Sequence, residues 1–517
     1  MSSKDVLSVY TFDYRENRPV KGVKTEIFLG DKMINSCLTD DYGNIRLDLQ
    51  LDNEYLIKVY FSGFEDRPWE KKFIYKKGMT AVMKHNDDYA FLLYCMPVFE
   101  PPVKKLPKKS KGSLVIIGGN EWNEGIFEKI IELAGGPLVI KIAIIPAASN
   151  TPAVTGQDYV EQMVSLGVPL ENVWTVPIAV VNDDSTEEDE SLWKDNGFNK
   201  SIAAKLKGYN AIFFVGGDQF RYMKTLTDDD NNDSPVLKVI RKILDNGGII
   251  AGTSAGAAIM SNPMIGNGNS YEAILHGIID GRNVKVDPDS IGDRMLITNG
   301  IGFLKYGITD QHFIERGRIG RLIAACVSSG ITLGYGISED SALVLLGGDQ
   351  IEVIGERGVI VIDTSDAKVH STYGTIPHIT NIKLHYIEEG DRYDIAKNVF
   401  FINKLKRSTK DNEYFDAERW RINFEAFCEY GMSESLTYDL VDCKSDQSIS
   451  IALKTDDFNY FREGYDIYKS GTAMLVFRKG EGTEGFWGRI KGKSSYSVIN
   501  ALVDLYPLSP EKHNNQV

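Results

Sequence analysis

The chain has little cysteine, little histidine and no long apolar run. Its five cysteines are scattered over 517 residues without a C-x-x-C pair, which is typical of free thiols in a reducing compartment and argues against a disulfide framework or a structural zinc site. No apolar stretch reaches the ~18 residues of a membrane span, and the N-terminus lacks the apolar core of a secretion signal. We therefore expect a cytoplasmic protein with no membrane contact.

Basic residues are also in deficit. The 58 lysines and arginines are outnumbered by 72 aspartates and glutamates, which gives a formal charge of −14. A nucleic-acid binder needs a basic face to displace counterions, so this balance argues against a nucleic-acid partner. The apolar content of 43% is ordinary for a globular protein, and the length predicts about three domains of roughly 150 residues.

Short stretches in residues 1–100, such as VLSVYTF and EYLIKVYF, alternate apolar and polar positions between turn signals. This pattern predicts a small all-β sandwich. The stretches RPVKGVKTEIF, LTDDYGNIRLDL and NEYLIKVYFSGFE resemble the carboxypeptidase regulatory-like, transthyretin-like family. That resemblance implies a packing, adhesion or assembly module without chemistry of its own. A linker rich in proline and lysine is predicted at 101–112.

From residue 113 onward the spacing of the apolar residues along the chain changes. Apolar runs ending in glycine, such as LVIIGG and NAIFFVGGD, alternate with amphipathic stretches such as EGIFEKIIELAG and PVLKVIRKILDNG. This alternation predicts an α/β domain at 113–397 with a doubly wound, mostly parallel sheet. Ligand sites in such sheets lie at the carboxyl ends of the strands. Residues 398–517 combine a predicted helix, AERWRINFEAFCEYGM, with hairpin-like stretches, so we expect an α+β extension of unassigned role.

The strongest chemical signal is the G-x-S-x-G pentapeptide at 252–256, in which Ser254 follows the apolar run GGIIA and precedes a helical stretch. A serine on such a strand-to-helix turn is a nucleophile elbow. Small neighbours let the backbone pass close to itself, and the helix N-terminus stabilises developing negative charge. We predict that Ser254 is a nucleophile; a chance run of small residues is the competing interpretation.

A serine nucleophile needs a base, and the chain has only seven histidines. His312 stands out because its segment, 309–322, also carries three arginines, two glycines and several polar residues. We predict that His312 is the base, with His276 and His385 as alternatives. The competing interpretation is a capping segment with solvated arginines on an ordinary helix.

The third member of such a site is a carboxylate that orients the imidazole. Glu339 lies at a predicted turn between the apolar stretches GYGIS and SALVL, from which its carboxylate would project at a sheet edge. Asp310 and Asp340 compete for this role, and Glu339 could instead be a turn-capping acid.

A glycine pair follows the apolar run AIFF, and glycines at a strand end let backbone N–H groups face a ligand. We predict that the N–H groups of Gly217 and Ala255 form an oxyanion hole; a tight turn that needs a positive φ is the alternative. The pair Gly118 and Gly119 is a similar, weaker pattern, and it lacks the Lys-Ser/Thr of a phosphate-binding loop.

Four motifs in this order, FFVGGDQ, GTSAGAAIM, DQHFIERGRIGRL and GYGISEDSALVL, resemble the cyanophycinases of the S51 serine peptidase family, over about 113–395. The resemblance implies a flavodoxin-like fold related to class I glutamine amidotransferases, with serine in place of their cysteine. It also implies that Ser254, His312 and Glu339 form a triad. Six further residues match substrate-binding positions: Gln219, Asp310, Gln311, Arg316, Arg318 and Arg321.

The resemblance further implies the reaction, in which a homodimer degrades multi-L-arginyl-poly-L-aspartate to β-aspartyl-arginine dipeptides. We expect no metal or organic cofactor. Arginine can bind a substrate carboxylate through two hydrogen bonds, and Asp310 or Glu315 could accept a guanidinium, so a mixed-sign pocket would suit a zwitterionic Asp-Arg unit. Two alternatives stay open: an isoaspartyl or α-aspartyl dipeptidase, and a binding or assembly protein on an inactive hydrolase scaffold.

Overall fold

The computed structural model describes most of the chain, and the structural statements below refer to that part. The described residues are 5–13, 18–39, 44–50, 52–62, 67–75, 82–85, 89–97, 112–120, 123–282, 290–369, 379–415, 422–423, 426–453 and 471–507. The predicted linker lies outside them except for Gly112, as does the DDYG turn of the N-terminal region. The chain divides into two compact units, one of Met1–Pro107 with Arg489–Ser494 and one of Lys108–Gly488 with Ser495–Val517.

The first unit is built from short antiparallel strands. These are β1 Asp5–Asp13, β2 Arg18–Pro19, β3 Lys24–Leu29, β4 Lys32–Leu38, β5 Asn44–Leu47, β6 Glu54–Tyr60, β7 Trp69–Ile74, β8 Val82–His85 and β9 Tyr89–Pro97. One sheet has the order β2-β1-β9-β8, with β5 also paired to β1, and the other has the order β4-β3-β6-β7. The prediction of an all-β region is therefore confirmed.

The two sheets share one apolar core. Along β6 every second side chain is buried, and Tyr55, Ile57 and Val59 lie in the same cluster as Val9 and Leu47 of the other sheet. This alternation is the period of a strand with one face on a core, so the unit is a β-sandwich. Its kinship with carboxypeptidase regulatory-like modules stays a prediction.

The second unit begins with a five-stranded parallel sheet and its helices. The strands are β10 Ser113–Ile117, β11 Ile142–Ile145, β12 Val173–Thr175, β13 Ala211–Phe214 and β14 Ile249–Thr253, and the helices are α1 Glu124–Leu133, α2 Pro152–Ser165, α3 Lys200–Leu206, α4 Gln219–Leu226 and α5 Pro235–Asp245. The parallel strands have the order β12-β11-β13-β14-β10. The carboxyl ends of all five strands therefore meet at one edge of the sheet.

Both faces of this sheet are buried. In β10, Leu114 and Ile116 belong to one core cluster with helices α3 and α5, whereas Val115 and Ile117 belong to another cluster with helices α1 and α2. Strands buried on both sides carry continuous apolar runs instead of alternating ones. The predicted doubly wound α/β architecture is confirmed.

The next part of the chain widens the central sheet and adds smaller elements. These are α6 Ala255–Ala258, β15 Met264–Asn267, α7 Ser270–His276, β16 Ile278–Asp280, β17 Met295–Thr298, β18 Ile308–Asp310, α8 Ile319–Ser329, β19 Leu333–Ile337, β20 Ser341–Leu346, β21 Gln350–Gly355, β22 Val359–Asp363, β23 Lys368–Val369, β24 Ile379–Ile387, β25 Arg392–Asp394 and β26 Val399–Phe401. Strands β20, β21, β25 and β26 continue the central sheet beyond β10 in antiparallel pairs.

The C-terminal part of the chain is rich in β-structure. Its elements are β27 Lys406–Ser408, β28 Ile422–Asn423, α9 Gly431–Leu436, β29 Gln447–Leu453, β30 Gly471–Arg478, β31 Glu484–Ile490 and β32 Lys493–Pro507. Strand β28 falls inside the predicted helix AERWRINFEAFCEYGM, and α9 starts only near its end. That helix prediction is wrong at β28 because Ile422 and Asn423 pair with β29 instead.

These strands form a second large sheet together with strands from the α/β region. Its order is β18-β19-β22-β24-β32-β30-β29-β28, so β32 pairs directly with β24. The two sets of strands also share one buried apolar cluster, which contains both Leu384 and Val503. The boundary predicted at 397/398 therefore runs through a single compact unit.

Within the described residues, no helix combines the length and the apolar character needed to cross a lipid bilayer.

Candidate active site

Ser254 lies at the sharp turn between β14 and α6. Its backbone has φ 51° and ψ −107°, which lies outside the common regions for a residue with a side chain. The turn is tight, because a Cβ added to Gly252 would lie 2.6 Å from the carbonyl oxygen of Gly256, and one added to Gly256 would lie 2.3 Å from that of Phe214. The small residues of the predicted elbow are thus required by backbone packing.

The imidazole of His312 lies next to the Ser254 hydroxyl. Its Nε2 is 2.8 Å from Ser254 Oγ, and its backbone N–H donates to the carbonyl of Gly118 at 2.8 Å. A Cβ on Gly119 would lie 2.1 Å from the imidazole Cε1. The glycine pair after β10 therefore makes room for the ring, a role that its sequence pattern did not reveal.

Burial keeps this imidazole neutral. Burial, and then the positive charges of Arg316 and Arg318, outweigh the hydrogen bond to Glu339 and lower the pKa of His312 from 6.5 to about 4. A neutral imidazole that donates from Nδ1 can accept a proton at Nε2. His312 is thus in the protonation state that a general base needs near neutral pH.

The carboxylate of Glu339 holds the other side of the ring. Its Oε1 is 2.6 Å from His312 Nδ1, and its Oε2 accepts from the side-chain amide of Asn120 at 2.6 Å. Burial raises the pKa of Glu339, but the hydrogen bonds from His312 and Asn120 outweigh burial and lower it overall. The structure therefore brings together Ser254, His312 and Glu339 in the order that a triad requires.

The other histidines and acids considered from the sequence lie in different surroundings. His385 is buried, stacks on Phe400 with ring centroids 4.3 Å apart and accepts from the backbone N–H of Asn500. His276 lies in the last turn of α7. Asp340 accepts from the backbone N–H of Asn123 at 2.6 Å. The two ring nitrogens of His312 instead have Ser254 and Glu339 as their partners.

Positive φ angles recur around the site. Asn120, His312 and Asp340 have φ of 46°, 46° and 53°, in addition to the strained Ser254. Such angles are uncommon for residues other than glycine, and each strained residue costs of the order of 1–3 kcal/mol. The surrounding packing therefore holds these residues in conformations that the local chain alone would not favour.

A further series of hydrogen bonds connects the backbone of Glu339 to three other charged residues. Its backbone N–H donates to Glu315 Oε2 at 3.1 Å, Glu315 Oε1 accepts from Arg357 at 3.0 Å, and the same Arg357 nitrogen donates to Glu429 at 2.9 Å. Burial raises the pKa of Glu315 despite these bonds. No local sequence pattern marked Arg357 or Glu429, whereas Asn120 directly follows the glycine pair Gly118 and Gly119.

The C-terminal part of the chain also contacts the histidine segment directly. A Cβ on Gly317 would lie 2.0 Å from the carbonyl oxygen of Phe427, and one on Gly320 would lie 2.8 Å from the Phe427 ring. The Phe427 ring in turn meets Tyr271 edge to face at 5.1 Å between centroids. Residues beyond the predicted α/β domain thus pack against the segment that carries His312.

The predicted oxyanion donors adjoin the nucleophile in sequence or through a neighbour, since Ala255 follows Ser254 and Gly217 follows Gly216. A Cβ on Gly216 would lie 3.4 Å from Ser254 Cβ and 3.9 Å from its Oγ, and Ala255 is the first residue of α6. Among the described residues, neither the Gly217 nor the Ala255 N–H is recorded donating to a protein acceptor. Both donors are therefore available to a developing oxyanion, and their catalytic role stays a prediction.

Three of the predicted substrate-binding residues are instead paired inside the protein. Asp310 is fully buried and takes hydrogen bonds from Arg321 Nε at 2.8 Å and from its Nη2, while Arg318 lies 3.4 Å away. Arg321 also donates to the carbonyl of Gly268. Arg318, whose pKa burial and Arg321 lower to about 9, donates to the carbonyl of Gln311.

These contacts give Asp310, Arg318 and Arg321 partners inside the protein, and their role in substrate binding stays a prediction. A charge that moves from water into the protein interior needs an opposite charge and hydrogen bonds nearby. Asp310, Arg318 and Arg321 provide these for one another. Their side chains brace β18 and α8 on both sides of His312 and present almost no surface to a ligand, since the Arg318 and Arg321 side chains are only 10% and 5% exposed.

The remaining predicted substrate-binding residues differ in accessibility. Arg316 is exposed, and among the described residues its guanidinium has no recorded partner. The amide of Gln219, at the start of α4, donates to the carbonyl of Gly266. Gln311 is 7% exposed. Of the six residues, Arg316 is thus the one whose charge is open to solvent beside the triad.

No group of three or more His, Cys, Asp or Glu side chains converges to hold a metal ion anywhere in the described ranges.

Comparison with known proteins agrees with this geometry. Peptidase family S51 matches residues 114–354, a range that contains Ser254, His312 and Glu339. The chain is 31% identical over 293 residues to a cyanophycinase of Geminocystis herdmanii, which covers 55% of this chain and 94% of that relative. It is 29% identical over 303 residues to a cyanophycinase of Trichormus variabilis, covering 56% of this chain and 88% of the relative.

A solved structure, that of a peptidase from an acI-B1 Actinobacterium, is 22% identical and covers 49% of this chain and 92% of its own, with a TM-score of 0.35.

Proposed function

The chain belongs to peptidase family S51, and on that premise we propose that it is a serine peptidase that cleaves cyanophycin, multi-L-arginyl-poly-L-aspartate, to β-aspartyl-arginine dipeptides. The observation that carries the proposal is the continuous line of hydrogen bonds from Ser254 Oγ to His312, at 2.8 Å, and from His312 to Glu339, at 2.6 Å. The cyanophycinases among its relatives support the choice of polymer.

The first step is attack by Ser254 Oγ on an aspartyl carbonyl. His312 Nε2 takes the hydroxyl proton, and Glu339 stabilises the imidazolium that forms. Since the His312 pKa lies at about 4 before reaction, the ring begins neutral. The proton then passes from Nε2 to the leaving amine, and the acyl-enzyme remains on Ser254.

Backbone donors stabilise the tetrahedral intermediate. The N–H groups of Gly217 and Ala255 would contact the oxyanion, and each such donor is worth about 3–4 kcal/mol of transition-state stabilisation. The N-terminus of α6 begins at Ala255, so its backbone N–H groups face the same region. Water, deprotonated by His312, then hydrolyses the acyl-enzyme and restores the Ser254 hydroxyl.

Arg316 is our candidate for substrate recognition. Its positive charge lies close enough to lower the pKa of both His312 and Glu339, and its side chain is exposed. A guanidinium in this position can bind a substrate carboxylate through two hydrogen bonds. We expect Arg316→Gln to raise KM for the polymer more than it lowers kcat.

The decisive test replaces the nucleophile. Purified wild-type protein should release β-aspartyl-arginine from cyanophycin, and Ser254→Ala should lower kcat by roughly 10⁶-fold while the circular dichroism spectrum and melting temperature stay close to wild type. A Ser254→Ala protein that still releases the dipeptide at the wild-type rate would refute the proposal.

A substrate panel distinguishes the polymer from smaller aspartyl substrates. Cyanophycin, β-aspartyl-arginine, isoaspartyl peptides and Asp-X dipeptides should be assayed in parallel with the same enzyme preparation. We expect turnover of the polymer alone. Exclusive turnover of isoaspartyl or Asp-X dipeptides would replace the polymer with a dipeptidase function while leaving the triad in place.

A further inference from the structure

A pocket lies in the C-terminal part of the chain and shares no residue with the candidate active site. Its volume is about 640 Å³, within the ~300–1,000 Å³ of pockets that hold small ligands. Aromatic rings and a few charged or polar groups line it, chiefly Arg407, Tyr414, Tyr438, Asp442, Trp487 and Tyr496. Neither the sequence patterns nor the family comparison assigned it a role.

Its most prominent feature is an exposed pair on two neighbouring strands. Arg407 of β27 lies directly opposite Trp487 of β31, and directly opposed residues of an antiparallel pair have Cβ atoms only about 5 Å apart. Arg407 is exposed, and Trp487 keeps 42% of its surface in solvent. Among the described residues, the Arg407 guanidinium has no recorded ion pair.

The other rings complete an aromatic wall. Tyr414 and Tyr438 are 82% and 38% exposed, and Tyr438 meets Tyr496 edge to face with centroids 5.4 Å apart. Exposed aromatic faces are electron-rich and attract planar cations such as a guanidinium. A group of large rings that keeps this much of its surface in solvent is suited to a ligand.

The inner end of the pocket is negative and rigid. The carboxylate of Asp442 is almost buried and accepts from the Tyr496 hydroxyl at 2.7 Å and from the Tyr414 backbone N–H at 2.9 Å. These two bonds fix the acid, the Tyr496 side chain and the backbone at Tyr414. A ligand cation on the aromatic faces would therefore also meet a fixed negative charge, whereas a ligand carboxylate could pair with Arg407.

We propose that this pocket is a non-catalytic binding site for arginyl side chains of the polymer, with the guanidinium against the aromatic faces and the arginyl carboxylate on Arg407. The choice of ligand rests on the proposed function. In a β-aspartyl-arginine unit the arginine amino group is acylated, so its guanidinium and carboxylate are the free charges. A neutral sugar could stack on the same rings but would leave Arg407 without a counter-charge.

The test measures binding separately from cleavage. In a Ser254→Ala background, cosedimentation with insoluble cyanophycin should show about tenfold weaker binding after Trp487→Ala, the order of effect expected when a cation–π contact is lost. Phe198→Ala is the matched control, because Phe198 has the same 42% exposure and lies outside both sites. In the wild-type background, Trp487→Ala should raise KM for the polymer and leave kcat unchanged.

Four outcomes decide the inference. Weaker binding by Trp487→Ala and by Arg407→Gln, with Phe198→Ala at wild-type affinity, supports it. Equal binding by all variants overturns it, even if the wild type cleaves cyanophycin. Pocket-dependent binding by a chain that cleaves no cyanophycin keeps the inference and rejects the proposed function. Pocket-dependent binding to neutral polysaccharide beads in place of cyanophycin overturns the inference, because the ligand would then be a sugar.

Discussion

Two polar networks meet on the histidine segment, at His312 and at Asp310, and their carboxylates differ in accessibility. His312 forms one with Ser254 and Glu339, where the Glu339 side chain is 16% exposed. Asp310 forms the other with Arg318 and Arg321, where the Asp310 side chain is fully buried. The basic partners are similarly enclosed, with side-chain exposures of 7% for His312, 10% for Arg318 and 5% for Arg321, so the difference lies in the carboxylates. We expect the partly exposed carboxylate, Glu339, to serve the reaction and the enclosed one, Asp310, to support the fold.

The largest effect is expected from replacing Glu339, the carboxylate of the reactive network that Ser254, His312 and Glu339 form. Glu339→Gln keeps the shape of the side chain but favours the wrong imidazole tautomer, so we expect kcat to fall by about 10³–10⁴-fold with the melting temperature little changed. Steady-state kinetics on cyanophycin measure it. A loss below tenfold would show that the Glu339 carboxylate is not the orienting acid.

The second prediction breaks the buried network. Asp310→Asn leaves Arg321 buried without its counter-charge, so the free energy of unfolding should fall by about 3–5 kcal/mol. Denaturant unfolding measures it, and the expected loss of kcat is much smaller than for Glu339→Gln.

Asp233→Asn is the matched control for this variant. Asp233 also binds an arginine, Arg241, through two hydrogen bonds of 2.6 and 3.0 Å, but the pair is partly exposed, with side-chain exposures of 31% and 23%. Its loss should cost at most about 1 kcal/mol. Equal destabilisation by the two variants would contradict the role of burial in our comparison.

The third prediction concerns Arg357, which is linked to the Glu339 backbone through Glu315. Arg357 holds Glu315, which in turn accepts from the Glu339 backbone, so Arg357→Gln should lower kcat by about tenfold through displaced geometry. Arg357→Lys should restore most of the rate. Glu429→Gln removes only the contact between Arg357 and Glu429, so kcat should fall by less than it does in Arg357→Gln. An equal fall in kcat would show that Arg357 does not act through Glu315.

The smallest expected effect is a shift in pH dependence. Because burial holds the His312 pKa at about 4, below the ordinary 6.5, kcat/KM should fall only as the pH drops toward 4. The unfolded chain binds this proton at higher pH than the folded one, so acidification from 6.5 to 4 also lowers stability. Arg316→Gln removes a nearby positive charge and should move the acid limb upward. A fall in wild-type kcat/KM centred at pH 6.5 would show that the pKa of the base is not lowered by burial.

The reactive network could be predicted because its local signals are strong. Ser254 follows an apolar strand and is flanked by small residues, and His312 and Glu339 each lie in a polar motif beside apolar runs. These features arise from short stretches of chain, where strand period and turn chemistry act directly. The parallel sheet was predictable for the same reason.

The buried network and the supporting residues could not be predicted. Asp310 meets Arg321 only because β18 and α8 fold back on each other, and Asn120 reaches Glu339 across 219 residues of sequence. The stretch around Ile422 has a helical pattern, but pairing with β29 overrides that local preference. In each case a contact between distant parts of the chain decides the outcome.

The position of β32 has a consequence for synthesis of the chain. This strand lies between β24 and β30 in the sheet that also holds β18 and β19, yet roughly a hundred residues separate the end of β24 from its start. A ribosome needs about 5–20 s to add them. During that interval the growing polypeptide exposes the bare hydrogen-bonding edge of β24, a ready template for wrong partners, so productive maturation in the cell depends on how this edge is shielded.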